Sequence, residues 1–241
     1  MSLIDNIAKM VLNKATLLEK RKIADETYHL ILIGDDLKKM NYKPGEQIKI
    51  LVGVDKSMPI NDKTRTYSVW NYEPEQGIVD LAVSTFSSGP GARWVKELHE
   101  SDTVYFSSPK GRFTIDNTAD YYLMIGDVSA LAHLYEINRH IAPDKKVYGL
   151  IFSEVENDFY ADFTGDKPFA YYTEDRLNMI DRAIKFIQPI IEKEQGKGMV
   201  YVGGEAGLCL HLNQYFKHTL GWSSRQIKTK PFWHPHKTGL E

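Results

Sequence analysis

The hydrophobic period of this chain changes near Asp116, and that change limits the fold more than any other feature. Before it, ATLLEKRKI, TYHLILI, EQIKILV, RTYSVWNY, GIVDLAVST and DTVYFSS are short runs rich in β-branched and aromatic residues, bounded by turn formers. NYKPGEQ and NYEPEQG put Pro and Gly where tight turns need them. Six such runs predict an antiparallel β-barrel. One helix interrupts it, GARWVKELHE, and Ile7, Met10 and Val11 share a face of a short amphipathic helix ahead of the first strand.

After Asp116 the runs lengthen. YYLMIG is unbroken apolar sequence, as a strand buried on both faces requires, and SALAHLYEINRHI follows with apolar residues at helical spacing. KVYGLIFS, NMIDRAIKFIQPIIEKE, GMVYVGG and EAGLCLHLNQYFKHTLG continue the alternation of strand and helix. Strands separated by helices predict a parallel sheet with crossovers. The expected organisation is therefore a barrel domain over residues 1–117 and an α/β domain over 118–241. Pro189 is expected to kink or shorten its helix.

Charge and cysteine usage narrow the function. The 241 residues carry a formal charge of −2, which gives no reason to expect nucleic acid or an anionic membrane as partner. Cys209 is the single cysteine and sits in GLCLHL, so a buried thiol is expected and a disulfide framework or cysteine zinc site is not. The N-terminus has no basic head before an apolar stretch, and no window approaches the ~20 apolar residues of a membrane span. A cytoplasmic monomer is the expectation. Charge is uneven, however. No acidic residue lies between Ala206 and Leu240, where Lys217, Arg225, Lys228, Lys230 and Lys237 form a basic stretch that also fits an ordinary solvated face.

Four stretches can carry chemistry. In Arg65-Thr66-Tyr67-Ser68, the first and third side chains share one face of a strand and the second and fourth the other. An arginine fork can hold a phosphate, a tyrosine can lie on a planar ring, and a serine hydroxyl can meet a ring nitrogen, a set that suits a flavin dinucleotide. Alone, the four residues fit an ordinary exposed strand better. STFSSGPGARWVKEL ends a strand and starts a helix at Gly89-Pro90, whose open amides would take an anion such as a diphosphate, or simply form a capped turn. MIGDVSALAHL and VYVGGEAG each give strand, glycine turn and helix, with Gly126, Asp127, Ser129 and Glu205 at the carboxyl ends of strands, where open α/β sheets bind ligands and where every helix also needs a cap. No GxGxxG is present. His234 with His236, and His211 with His218, lack accompanying carboxylates, so no metal site is expected.

The order RTYS, DLAVSTF into SSGPGARW, YYLMIGDVSALAHL, YVGGEAG and KTKPFWHPHKTG resembles the siderophore-interacting proteins, FAD-containing ferric-siderophore reductases of the ferredoxin reductase superfamily. The likeness runs from about Ala15 to Gly239. It implies FAD on the barrel, with Arg65 at the phosphates, Thr66 and Tyr67 alongside, and Ser68 at the flavin N5 edge as the catalytic contact. It also implies Val83, Ser84 and Thr85 bordering the isoalloxazine, and Gly89, Pro90, Gly91 and Ala92 around the diphosphate. Gly126, Asp127, Ser129, Ala130 and Glu205 would line the cleft for NADH or NADPH. This sequence departs from the family's usual histidine at about Thr85, from Gly-Pro-Ala-Ser at Gly89-Pro90-Gly91-Ala92, and from Leu-Pro at Leu131-Ala132.

The implied reaction carries a hydride from nicotinamide to flavin and then single electrons to Fe(III) in its chelator, which releases Fe(II). Lys228, Lys230 and Lys237 would attract an anionic ferric siderophore, and Trp233 would pack on its organic part or cover the flavin. A general NAD(P)H–flavin or electron-transfer reductase, and a non-enzymatic flavin sensor, are the alternatives. Glu154 and Glu156 follow KVYGLIFS and lean the choice of nucleotide toward NADH, while Arg176 or Lys185 would oppose that lean.

Overall fold

The computed structural model describes residues 9–237 apart from positions 55, 57, 60 and 61. Two compact units divide between Arg112 and Phe113. The first contains β1 (Asn13–Ala24), β2 (Thr27–Ile33), α1 (Asp35–Lys38), β3 (Gln47–Leu51), β4 (Thr64–Ser68), β5 (Asn71–Glu73), β6 (Ile78–Ser84), α2 (Pro90–Glu97) and β7 (Thr103–Phe106). Its seven strands run in the order β4-β3-β7-β1-β2-β6-β5, every pair antiparallel.

RTYSVWNY is two strands, not one, which raises the expected six to seven. The chain turns at Val69 and Trp70, both buried, and Trp70 N–H donates to Asp80 O at 2.8 Å. β4 and β5 lie at opposite ends of the strand order although only Val69 and Trp70 separate them. The three steps from Ser68 to Asn71 reach only about 10 Å, so the sheet has to curl until its ends approach. Register shifts at Leu17/Glu19 and Lys22/Ala24 help bend the long β1, which pairs with β7 at its start and with β2 along its length. The curled sheet encloses Leu17, Leu30, Leu32, Ile48, Ile50, Val79, Leu81 and Phe106, and Val95 of α2 joins them. Residues 9–11 are helical, but Met10 and Val11 are 86% and 77% exposed, and Ile7 lies outside the described residues.

The second unit contains β8 (Tyr121–Asp127), α3 (Leu131–His140), β9 (Lys146–Ser153), a 3-10 turn (Glu156–Asp158), β10 (Ala170–Thr173), α4 (Arg176–Lys193), β11 (Gly198–Glu205), α5 (Ala206–Gln214), a π-helical turn (Tyr215–Thr219) and β12 (Ile227–Trp233). The sheet is parallel throughout, in the order β10-β9-β8-β11-β12. Sequence periodicity predicts the three inner strands. The edge strands β10 and β12 escape it: one has four residues, and the other, IKTKPFW, carries lysines and a proline, as edges tolerate.

All seven residues of β8 are buried, which explains its unbroken apolar sequence. Tyr121, Leu123 and Ile125 face α4 and α5 through Met179, Ala183, Ile187, Leu208 and Leu212, while Gly126 faces Leu134 of α3. Helices on both faces make this a doubly wound sheet. Pro189 does not shorten α4, which runs 18 residues through it.

Buried His133 gives this unit a pH signature. Its Nε2 donates to Phe113 O at 2.8 Å, its ring stacks on Phe113, and burial lowers its pKa from 6.5 to about 4. The unfolded chain therefore takes a proton between these values that the native state refuses. Stability is expected to fall as pH drops from about 6.5 to 4, by up to about 3 kcal/mol. A flatter profile for His133→Gln in pH-dependent thermal unfolding is the expected result; an unchanged slope would remove His133 as the cause.

Candidate functional site

In the β unit, the RTYS strand and the glycine-rich helix start come together. Arg65 and Tyr67 pair in register with Ile50 and Ile48, and Thr66 and Ser68 with Lys49 and Gln47. Tyr67 stacks on Trp94 of α2 with ring centroids 5.7 Å apart. Gly89 is the N-cap of α2 and Pro90 its first residue. Arg93 N–H is bonded to Gly89 O, so the amides of Gly91 and Ala92 precede the first intrahelical hydrogen bond. A Cβ built on Gly91 would lie 2.6 Å from Tyr67 Oη and 3.3 Å from Arg65 Cγ. The missing side chain is what lets the helix tip approach β4 so closely.

Arg65 is mostly buried and already engaged: Nη2 donates to Asp62 Oδ1 at 2.9 Å and Nη1 to Thr64 O at 2.6 Å. Ser68 Oγ accepts from Gln47 Nε2 at 3.1 Å. Val83 belongs to the barrel core, and Ser84 Oγ lies 3.4 Å from Thr27 Oγ1. Thr85 is buried, and its hydroxyl donates to Glu26. Sequence reasoning did not find Asp62, Gln47 or Trp94. Only the i, i+3 spacing of Asp62 and Arg65 gave a local signal.

In the α/β unit, the strand order reverses between β8 and β11, the position where such sheets open a crevice at their carboxyl ends. Gly126 and Gly203 face each other there, and a Cβ on Gly126 would sit 2.6 Å from Gly203 O. Asp127 is the hub. It is buried and accepts from Ser129 N–H at 2.8 Å, from the Ser129 hydroxyl, from Glu205 N–H at 2.7 Å and from Trp233 Nε1–H at 2.9 Å. Burial still holds its pKa above the usual carboxylate value, because loss of water outweighs these donors. Gly204, with φ +115°, makes the turn beside it. Glu205 caps α5, its Oε2 accepting from Leu208 N–H at 2.9 Å. Ala130 is fully buried against Gly126 and Gly203.

The residues expected to bind substrate do not form one group. Lys228, at the start of β12, donates to Thr114 O at 2.9 Å and lies over the Tyr201 ring. Trp233, at the end of β12, joins the Asp127 hub and lies under the Arg176 guanidinium. Five residues of strand put about 17 Å between them. Lys230 is near enough to His133 to affect its charge, and Lys237 is exposed and pairs with His234. Among the described residues no cluster of His, Cys, Asp or Glu is arranged to hold a metal, and no helix is long and apolar enough to cross a membrane.

Known proteins share both units. Residues 14–115 match the oxidoreductase FAD-binding domain, and residues 119–236 match the siderophore-interacting protein model. Siderophore-interacting protein SipS from Aeromonas hydrophila is 18% identical, with 92% of this chain covering 97% of that one at a TM-score of 0.73. A siderophore utilization protein from T. fusca is 16% identical, with 95% of each chain covered at a TM-score of 0.75. Phthalate dioxygenase reductase is 17% identical, with 97% of this chain covering 72% of that one at a TM-score of 0.71. No curated protein gives a sequence match. The two-unit fold is ferredoxin reductase-like, and its N-terminal unit matches an oxidoreductase FAD-binding domain. Within that fold, the α/β unit matches the siderophore-interacting protein model over nearly its whole length.

Proposed function

We propose that this protein is an NAD(P)H-dependent flavoenzyme that reduces a ferric siderophore, or a related ferric chelate, and so releases Fe(II). FAD is assigned to the N-terminal portion through residue 117 and the nicotinamide nucleotide to residues 118–241. The observation that carries the reading is the approach of the α2 tip to Arg65 and Tyr67 across Gly91. A guanidinium fork and the amides of Gly91 and Ala92 are the donors a diphosphate requires, and a side chain at Gly91 would push the helix tip away from β4.

In this reading Arg65, Gly89, Pro90, Gly91 and Ala92 hold the diphosphate, while Thr66, Tyr67, Val83, Ser84 and Thr85 position the rest of the cofactor. Ser68 is the contact to the reactive edge of the flavin, and its bond from Gln47 orients the hydroxyl. Val83 and Thr85 act through their backbone, since their side chains are committed to the core and to Glu26. Bound there, FAD would accept two electrons as hydride and return them singly, as a ferric acceptor needs. Gly126, Asp127, Ser129, Ala130 and Glu205 form the nucleotide site. Asp127 and Glu205 serve it by fixing the turns after β8 and β11, so that backbone amides rather than carboxylates meet the anion. For the chelate, Lys230, Lys237 and Trp233 supply charge and an aromatic face, while Lys228, about 17 Å from Trp233 and bonded to Thr114, serves only as a more distant positive charge.

The test is the visible spectrum of the purified protein reconstituted with FAD. A bound flavin band that bleaches with NADH or NADPH under anaerobic conditions, then returns as ferric siderophore is consumed and Fe(II) is trapped, is the expected result. A flavin that stays oxidised with both nucleotides would overturn the enzymatic reading. Bleaching without turnover of any chelate, beside fast reduction of free flavin or a protein acceptor, would make this a general reductase.

A further inference from the structure

We propose that Glu154, through its ion pair with Arg176, makes this protein select NADH over NADPH. The inference rests on the nicotinamide-nucleotide reading above and adds the residue that chooses between the two. β9 lies directly beside β8 and ends at Ser153, so Glu154 is the first residue past its carboxyl end. In doubly wound sheets a carboxylate at this place accepts the adenosine ribose hydroxyls, and a free arginine there takes a 2′-phosphate instead.

This chain has both groups and joins them. Arg176 opens α4, and its Nε donates to Glu154 Oε1 at 3.0 Å. The guanidinium also lies 5.8 Å from the centre of the Trp233 ring, so charge and face are both engaged. Glu174 N–H donates to Ser153 O at 2.9 Å, which brings the start of α4 against the end of β9, while the Glu174 carboxylate pairs with Arg182 at 3.2 Å. Asp158 is 8% exposed; its Oδ2 accepts from Ser153 Oγ at 3.1 Å, and its Oδ1 is a buried acceptor with no hydrogen-bond partner among the described residues. A ribose diol offers O–H donors to the exposed Glu154 carboxylate. A 2′-phosphate brings a charge of about −2 and offers acceptors only. It would have to displace the Glu154 carboxylate from Arg176.

The test is equilibrium binding of NAD+ and of NADP+ to the FAD-loaded full chain, which needs no turnover. The native protein is expected to bind NAD+ more tightly, and Glu154→Gln to shift the NAD+/NADP+ affinity ratio toward NADP+ by about tenfold. Adding Arg176→Ala should abolish the gain for NADP+. Glu154 and Arg176 are both substantially exposed, and retained FAD reports that each variant is folded. A native preference for NADP+, or an unchanged ratio in Glu154→Gln, would overturn the selection by Glu154 while leaving the nucleotide site standing. Binding of neither nucleotide to the native protein would instead remove the nucleotide reading, and this inference with it.

Discussion

Arg65→Ala is expected to weaken FAD binding by about 10- to 100-fold while leaving the β unit folded. A hydrogen bond to a charged group contributes about 1.5–3 kcal/mol, and in the proposed site the Arg65 stem packs against Gly91 at the α2 tip. Its removal costs the fold little, because the Asp62 pair it breaks is a local i, i+3 contact at a partly exposed carboxylate, of a kind contributing about 1 kcal/mol or less. Arg65→Lys should fall between, since it keeps charge but loses the planar fork. Titration of cofactor-stripped protein with FAD, followed by tyrosine and tryptophan fluorescence, measures all three. Equal affinities across the series would detach β4 from the diphosphate and leave the α2 amides to explain binding alone.

Gly204→Ala should be the most damaging single change in the α/β unit, at about 3–5 kcal/mol. At φ +115° an L side chain is strained, which contributes about 1–3 kcal/mol. The new Cβ would also lie 2.4 Å from Asp127 Oδ2, the oxygen that accepts from Trp233 and from Glu205 N–H. Moving that carboxylate breaks two bonds at once and leaves buried donors unmet. Gly165→Ala separates the two causes: φ is +89° there, but nothing lies within 4 Å of the added carbon, so only backbone strain remains. Thermal unfolding should show a clearly larger loss for Gly204→Ala, accompanied by faster amide exchange in β8 and β11. Equal losses at the two glycines would mean that Asp127 tolerates the displacement.

Much of the candidate site is legible locally. RTYS and GPGA are readable because a strand face and a helix start are properties of a few adjacent residues. The turns after β8 and β11 are readable for the same reason: glycine and a capping residue are what such turns need. The partners are not. Asp62, Gln47 and Trp94 come to Arg65, Ser68 and Tyr67 through strand pairing and helix docking. Lys228 and Trp233 look alike in a basic aromatic tail, yet one bonds to Thr114 and the other to Asp127. That tail is itself an edge strand, hidden by its lysines and Pro231.

By itself the sequence determined the two kinds of unit, their order, and nearly every inner strand and helix, because hydrophobic period and turn chemistry act over neighbouring residues. The tertiary structure alone decided the strand order, the curl that brings β4 and β5 to opposite ends of one sheet, and the meeting of Asp127 with Trp233 across 106 positions. Such contacts depend on which strands become neighbours and in what register. Burial sets that for the whole unit at once, and no short stretch of chain encodes it.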